Sequence, residues 1–207
     1  MNQVKTDRKT QIGEAILDIA GSDGLQGLTT ARIAAEVGFT EAALYRYFKN
    51  KEDILAFVLD TQYGMIEESR AEIEAAGGTG IGKLESVLRR ILALFDERPG
   101  LYRIIYSDEL HRGSPLLMMK LSRLGLALLE IMEGYIEEAR AEGLVRPDAD
   151  PRALALAVFG CMHSAFGARS ILGIEGSLVE RGMDIFRITM LGVESHGGKG
   201  IGDNNSA

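Results

Sequence analysis

The chain has 207 residues, 46% hydrophobic and 26% charged, an ordinary soluble composition for one or two domains with a substantial core. Its most apolar segment, Ala153 to Phe166, is too short for a membrane span and carries His163, and the N-terminal MNQVKTDRKTQ lacks the apolar core of a signal peptide. Cys161 is the single cysteine, which excludes an intrachain disulfide and fits a reducing cytoplasm.

The net charge of −7 is unevenly placed. Residues 1–51 hold 7 Lys and Arg against 6 Asp and Glu, and the remainder holds 16 against 24. The first quarter is therefore slightly basic and the rest is acidic, so phosphates would be repelled everywhere but at the N-terminal end.

Apolar residues recur at helical spacing almost throughout, and no strand-like alternation persists, so an all-α fold of about nine helices is expected. A first helix is expected over about Thr6 to Gly21, with Ile12, Ala15, Ile16, Ile19 and Ala20 on one stripe and Asp23-Gly24 ending it. Lys5, Arg8 and Lys9 precede the stripe, either as a solvated helix start or as phosphate contacts. Thr29 or Thr30 caps a second helix, in which Ile33, Ala34 and Val37 point inward. Gly38 permits a sharp turn, Phe39 fills the corner, and Thr40 caps a third helix running from Glu41 to Tyr47. Ala43, Leu44 and Phe48 are the inward residues there. Thr40, Glu41, Ala42, Tyr45, Arg46 and Tyr47 are left on or near the outer face.

Asn50 caps a long fourth helix that runs to about Ala76, and the run Gly77 to Gly82 is expected to break the chain. A fifth helix is expected from Lys83 to Glu97, and a sixth from Leu101 to Leu110 after a Pro99-Gly100 break. Ser114 with Pro115 starts a seventh, which runs to about Glu142. Asp150 with Pro151 starts an eighth, to about Leu172. Ser177 and Glu180 have the spacing of a capping box for a ninth, to about Glu194. The polar, Gly-rich tail 196–207 is expected to be disordered.

Residues 28–55, LTTARIAAEVGFTEAALYRYFKNKEDIL, have the pattern of a helix-turn-helix DNA reader. Leu28-Thr29-Thr30, Ile33-Ala34, Val37-Gly38-Phe39-Thr40, Ala43-Leu44-Tyr45-x-Tyr47-Phe48 and Lys51-Glu52-Asp53-Ile54-Leu55 occur in register, and Ile12 to Ala20 with Gly24 fit upstream. On these residues the chain resembles the tetracycline-repressor (TetR) family of bacterial transcription regulators. The resemblance is close over about the first quarter and is one of plan beyond it. It implies a homodimeric, all-α transcriptional repressor that binds double-stranded DNA. Residues 1–50 would form the three-helix reader, and residues 51–195 a helical effector-binding and dimerisation domain. The eighth and ninth helices of two subunits would form a four-helix interface. Effector binding would move the fourth helix, change the separation of the two readers and release a pseudo-palindromic operator. A DNA-bound protein acting mainly through protein partners is the alternative.

A recognition helix must present polar side chains to base edges. Arg46 can donate two hydrogen bonds to a guanine, Thr40 can reach a base or a phosphate, and Ala42 offers a methyl-sized surface. Glu41 either accepts from cytosine N4 or favours the positive helix terminus. Tyr45 and Tyr47 are expected on phosphates through their hydroxyls, or else packed in the small core. Lys51 and a helix N-terminus can hold a phosphate together, as can Thr29 or Thr30.

In the eighth helix the small residues Ala153, Ala155, Ala157, Gly160, Ser164 and Ala168 allow close approach of a second subunit, and Leu156, Phe159 and Phe166 supply area. The ninth adds Leu178, Val179, Met183, Ile185, Phe186, Met190 and Leu191. For a small apolar or amphipathic effector the candidate contacts are Phe95, Tyr102, Tyr106, Met118, Leu121, Met162, His163 and Phe166, with Ile105, Leu117 and Leu124 beside them. The alternative for all of these is plain core. His163 is either a satisfied core histidine or an effector-binding group. It lacks ligand-spacing partners for a metal, even with Asp108, Glu109 and His111.

Gly77, Gly82 and Lys83 satisfy the GxxxxGK of a phosphate-binding loop. Leu84, however, stands where Ser or Thr should hold magnesium, and a helix precedes the run where a strand should. A linker is expected there. With no Ser/His/Asp or Cys/His signature, neither catalysis nor a cofactor is expected.

Overall fold

The computed structural model describes residues 8–108, 110 and 114–193, and Lys5, Glu109, His111 and the tail 196–207 lie outside them. Among the described residues the regular structure is nine α-helices and one 3-10 turn. These are α1 (Arg8–Asp23), the turn Leu25–Gly27, α2 (Thr30–Glu36), α3 (Glu41–Leu44), α4 (Lys51–Ala76), α5 (Gly80–Glu97), α6 (Pro99–Ile105), α7 (Pro115–Ala141), α8 (Pro151–Ser170) and α9 (Leu178–Leu191). The fold is all-α.

Most helices start where a short polar side chain can satisfy a free backbone N–H. Thr29 accepts from Arg32 N at 3.2 Å, Thr40 from Ala43 N at 3.2 Å and Asn50 from Asp53 N at 2.8 Å. Ser114, Asp150 and Ser177 do the same for α7, α8 and α9. Gly38, at φ +70°, reverses the chain between α2 and α3, a backbone conformation that a Cβ would strain.

Three helices are bounded differently from the sequence expectation. The α-helix after Thr40 ends at Leu44 instead of Tyr47, because the chain tightens into i to i+3 bonds: Arg46 N donates to Ala43 O and Tyr47 N to Leu44 O. The fifth helix begins at Gly80, with Thr79 as its cap, so the Gly-rich linker shortens to Gly77, Gly78 and Thr79. The sixth begins at Pro99, whose missing N–H costs nothing at a helix start, and ends at Ile105.

The buried core is one cluster running from Ile12 and Ile16 of α1 through Leu55 and Leu59 of α4 to Met183 and Phe186 of α9. The first helices are bound to the body by a close approach. A Cβ on Gly100 would lie 1.9 Å from Leu17 O and 2.7 Å from Gly21 N, so α6 sits backbone-to-backbone on α1. Arg98, between α5 and α6, adds an ion pair to Glu14 of α1. At the far end Gly80 packs against Tyr135 and Ala139 of α7 in the same way.

This core absorbs several residues assigned above to a dimer face. Ala155, Phe166, Leu178, Met183, Phe186 and Met190 are buried within the chain itself. The apolar residues of α8 and α9 that remain exposed are Ala153, Leu156, Ala157, Ile188 and Leu191, with Ser164 beside them. A helical stripe has two sides, and periodicity alone does not say which side faces the chain's own core.

Candidate nucleic-acid interface and ligand cavity

The turn at Gly38 presents α3 and its tightened extension to solvent. Thr40, Glu41, Ala42 and Arg46 are exposed, Tyr45 is 50% exposed and Tyr47 39%. The two tyrosines therefore stand outside the core, which is closed by Leu44 and Phe48. Tyr47 stacks on Phe39, their ring centroids 6.1 Å apart, and Arg8 lies over the other partner of that stack, 5.2 Å from the Phe39 centroid. Thr30 Oγ1 donates to Glu41 Oε2 at 3.0 Å, which links α2 to α3 and fixes the carboxylate at the edge of the face. Thr29 is exposed and is spent on its cap. Lys51 is half-buried, and its ammonium donates to Leu25 O at 3.1 Å across the domain. It fastens the start of α4 to the turn after α1. Exposed Lys49 and Arg32 add positive charge on this side, and Arg32 is paired with Asp23 at 3.3 Å.

In the body, α4, α5, α6, α7 and α8 enclose a cavity of about 620 Å³. Its wall is mostly apolar, from Ile66, Ile91, Leu94, Phe95, Ile105, Leu121, Leu124, Leu128, Phe159 and Met162. That size and lining suit a small molecule with a large apolar part. The charged side chains on its boundary, Glu68, Arg70, Glu72, Arg90 and Glu97, are all exposed and mark its mouth. Arg90 bridges the mouth from α5 to α4, donating to Glu72 and, at 3.0 Å, to Ser69.

Two further polar groups line its wall. His163 faces the Phe159 carbonyl through Nδ1 at 3.1 Å, so Nδ1 carries the proton, and Nε2 accepts from the Tyr106 hydroxyl. Burial, and then the neighbouring Tyr102, push the Tyr106 hydroxyl well above the usual phenol range, so it remains a donor at neutral pH. The other group is Gln62 of α4, 6% exposed. It extends the buried face of Leu55, Val58 and Leu59, and its Oε1 has no hydrogen-bond donor among the described residues.

The expected effector residues divide. Phe95, Tyr106, Leu121, Met162 and His163 line the cavity. Tyr102 and Phe166 stack on each other outside it, facing a second, more polar cleft of about 800 Å³ toward Gly24 and Leu25 that Tyr106 also borders. Met118 is half-buried and lines neither.

The family model described as "Bacterial regulatory proteins, tetR family" matches residues 12–58. The nucleoid occlusion factor SlmA of Photobacterium profundum is 32% identical over 182 residues, covering 84% of this chain and 83% of that protein. The chain belongs to the TetR family. A second relative, the fatty acid metabolism regulator protein of Bacillus subtilis, is 26% identical over 156 residues, covering 75% of this chain and 80% of its own. The solved structure of the transcriptional regulator FadR from Bacillus subtilis in complex with stearoyl-CoA shares the fold. Its TM-score is 0.75 at 24% identity, over 88% of this chain and 98% of that one.

As a TetR-family protein this is a DNA-binding regulator, and the exposed face around α3 is its helix-turn-helix surface. The GxxxxGK run has no phosphate-binding geometry. Lys83 is held inside the first turns of α5 by Glu138 at 2.7 and 2.9 Å and Glu74 at 3.1 Å. Those two carboxylates raise its pKa, and the Lys83 ammonium in turn lowers that of Glu74. Among the described residues no three metal-ligating side chains converge, and no helix is long and apolar enough to cross a membrane. Sequence reasoning missed Gln62. Its signal was a lone polar residue in step with Leu55, Val58, Leu59 and Ile66 on an otherwise apolar helix face.

Proposed function

We propose that the protein is a homodimeric repressor whose hold on a pseudo-palindromic operator is released by a ligand with a long apolar chain, a fatty acyl thioester being the leading class. The cavity carries this reading: about 620 Å³, apolar inside, charged only at its mouth. The relative named as a fatty acid metabolism regulator and the neighbour holding stearoyl-CoA support the acyl chemistry. Residues 1–50 act as the reader and residues 51–195 as the effector and dimerisation unit. The exposed stripe of Ala153, Leu156 and Ala157 on α8, with Ile188 and Leu191 on α9, supports pairing of two chains through these helices. Such a dimer sets two α3 faces roughly 34–36 Å apart, one turn of DNA.

The signal has two short routes. Tyr106 touches the cavity from the end of α6, and α6 is locked to α1 at Gly100. The cavity also borders α4 from Gln62 to Glu72, and α4 begins at Lys51, which is tied to Leu25. Filling the cavity displaces either helix and re-aims the reader.

A gel shift of genomic fragments at two salt concentrations, with and without stearoyl-CoA, tests the proposal. Expected is tight binding to one palindrome that weakens with salt and is lost with the acyl thioester. Absence of sequence-specific binding would sink the operator reading, and binding indifferent to acyl thioesters would sink the effector class. Arg46→Ala is expected to cost about 1–3 kcal/mol and relax specificity at one base pair, whereas Lys51→Ala weakens binding evenly across sequences. A second reading, a DNA-bound protein acting through protein partners, is favoured by the identity to the nucleoid occlusion factor. It predicts operator binding that no small molecule releases.

A further inference from the structure

Gln62 is the feature of the cavity that an unadorned acyl chain does not explain. It is only 6% exposed, it lines the cavity, and its Oε1 has no donor among the described residues. Its neighbours along the same face of α4 are Val58, Leu59 and Ile66. A leucine there would continue that face with no unpaired oxygen, and an unpaired buried carbonyl is a standing cost to the fold. His163 and the partly exposed Tyr106, the other polar pair on the wall, satisfy each other and the Phe159 carbonyl, so neither waits for a partner as Gln62 does.

We infer that the ligand carries a neutral hydrogen-bond donor, a hydroxyl or a secondary amide, partway along its apolar body, and that Gln62 reads it. This rests on the proposed apolar-ligand reading and narrows it. An amide side chain is uncharged and can accept through its oxygen and donate through its nitrogen, so its best complement is a group that does both. A carboxylate is a poor fit: it would lose its water in an apolar wall, with every charged lining side chain out at the mouth. A saturated hydrocarbon segment leaves Oε1 unpaired and gains nothing from Gln62. A site built to pair a hydroxyl rejects the analogue lacking it strongly, because the protein's own polar group is then stranded.

The protein has no tryptophan, so affinities are read by displacement of a dansyl-labelled fatty acid from the full-length protein. The probes are stearate, its 2-, 3-, 10- and 12-hydroxy derivatives, and N-palmitoylglycine. Wild type is expected to hold at least one hydroxylated or amide-bearing probe about tenfold or more tighter than stearate. Gln62→Leu is expected to erase that preference while holding stearate as well or better. A hydroxystearate as the favoured probe assigns the hydroxyl, and N-palmitoylglycine assigns the amide. Stearate bound with no probe preferred, or a preference that survives in Gln62→Leu, overturns this inference and leaves the apolar-ligand reading standing. Displacement by none of the probes overturns both. Melting of each variant without ligand is the control for folding, and Gln62→Asn, which keeps the amide one methylene shorter, is expected to retain part of the preference.

Discussion

Lys83 and Gln62 are the two buried polar side chains among the described residues apart from tyrosine and cysteine, and the helical body treats them in opposite ways. Lys83 of α5 reaches Glu138 of α7 at 2.7 Å and Glu74 of α4 at 3.1 Å, so one ammonium joins three helices. Gln62, three turns earlier on α4, has its oxygen buried beside apolar neighbours with no donor among the described residues. Desolvation is tolerable when it is repaid by well-placed partners and costly when it is not. The end near Lys83 is accordingly a clasp that holds the bundle at fixed spacing. The segment near Gln62 is hollow and carries an unanswered polar group, which suits it to receive something from outside. Helix α4 contributes to both, so its C-terminal end is anchored while its middle and its N-terminal end at Lys51 are where displacement can be expressed.

The largest expected effect is at the clasped end. Gly80→Ala places a Cβ 2.3 Å from Tyr135 O and 2.4 Å from Ala139 N, so α5 and α7 must separate. Overpacking of this kind costs about 1–3 kcal/mol or more, and thermal melts should show a drop of several degrees. An unchanged melting temperature would mean that the two helices are not held at that spacing.

Lys83→Met comes next and has a pH signature. Glu74 titrates below its ordinary range because of the Lys83 ammonium, so its contribution is present above that range and is lost as pH falls through the lowered value. Lys83 titrates above its ordinary range, so its contribution is complete below that range and fades as pH climbs through the raised value. The variant should therefore be less stable than wild type near neutral pH, and the two should converge on acidification. Melts of both proteins across the acid range check this, and a constant gap would remove the ion pairs as its cause.

The smallest effect should have the opposite sign. Gln62→Leu removes a buried carbonyl that lacks a donor among the described residues, a gain at the low end of such defects, about 1 kcal/mol. The ligand-free protein should melt a few degrees higher than wild type. A stabilised variant beside the destabilised Lys83→Met would establish that the two buried polar residues serve different ends. A lower melting temperature for Gln62→Leu would mean that the amide is already satisfied in the free protein.

The helix-turn-helix surface was the most legible part of the chain, because its determinants are local. Thr29, Gly38, Thr40 and Asn50 act within three or four residues of themselves, and the exposure of Arg46 and both tyrosines follows from the turn they flank. Even there the sequence overran. EAALYRY reads as continuous helix, and the tightening after Leu44 depends on bringing Phe48 into the core. The body was legible as helices and not as surfaces. Phe166 and Met183 have the hydrophobic spacing of an interface and lie in the chain's own core, while Ile188, 70% exposed, went unremarked. His163 drew notice as the lone histidine in an apolar helix and proves to be hydrogen-bonded on both nitrogens.

By itself, the sequence determined the all-α class, most of the helix starts and the helix-turn-helix face. Those rest on backbone hydrogen bonds closed by nearby side chains and on a glycine that alone tolerates φ +70°. Only the tertiary structure decided that Gly80 and Gly100 are points of backbone contact, that Lys83 closes a clasp instead of binding phosphate, and that five helices leave a cavity with Gln62 in its wall. Each of these depends on which faces of distant helices meet, and a helical period leaves that choice open.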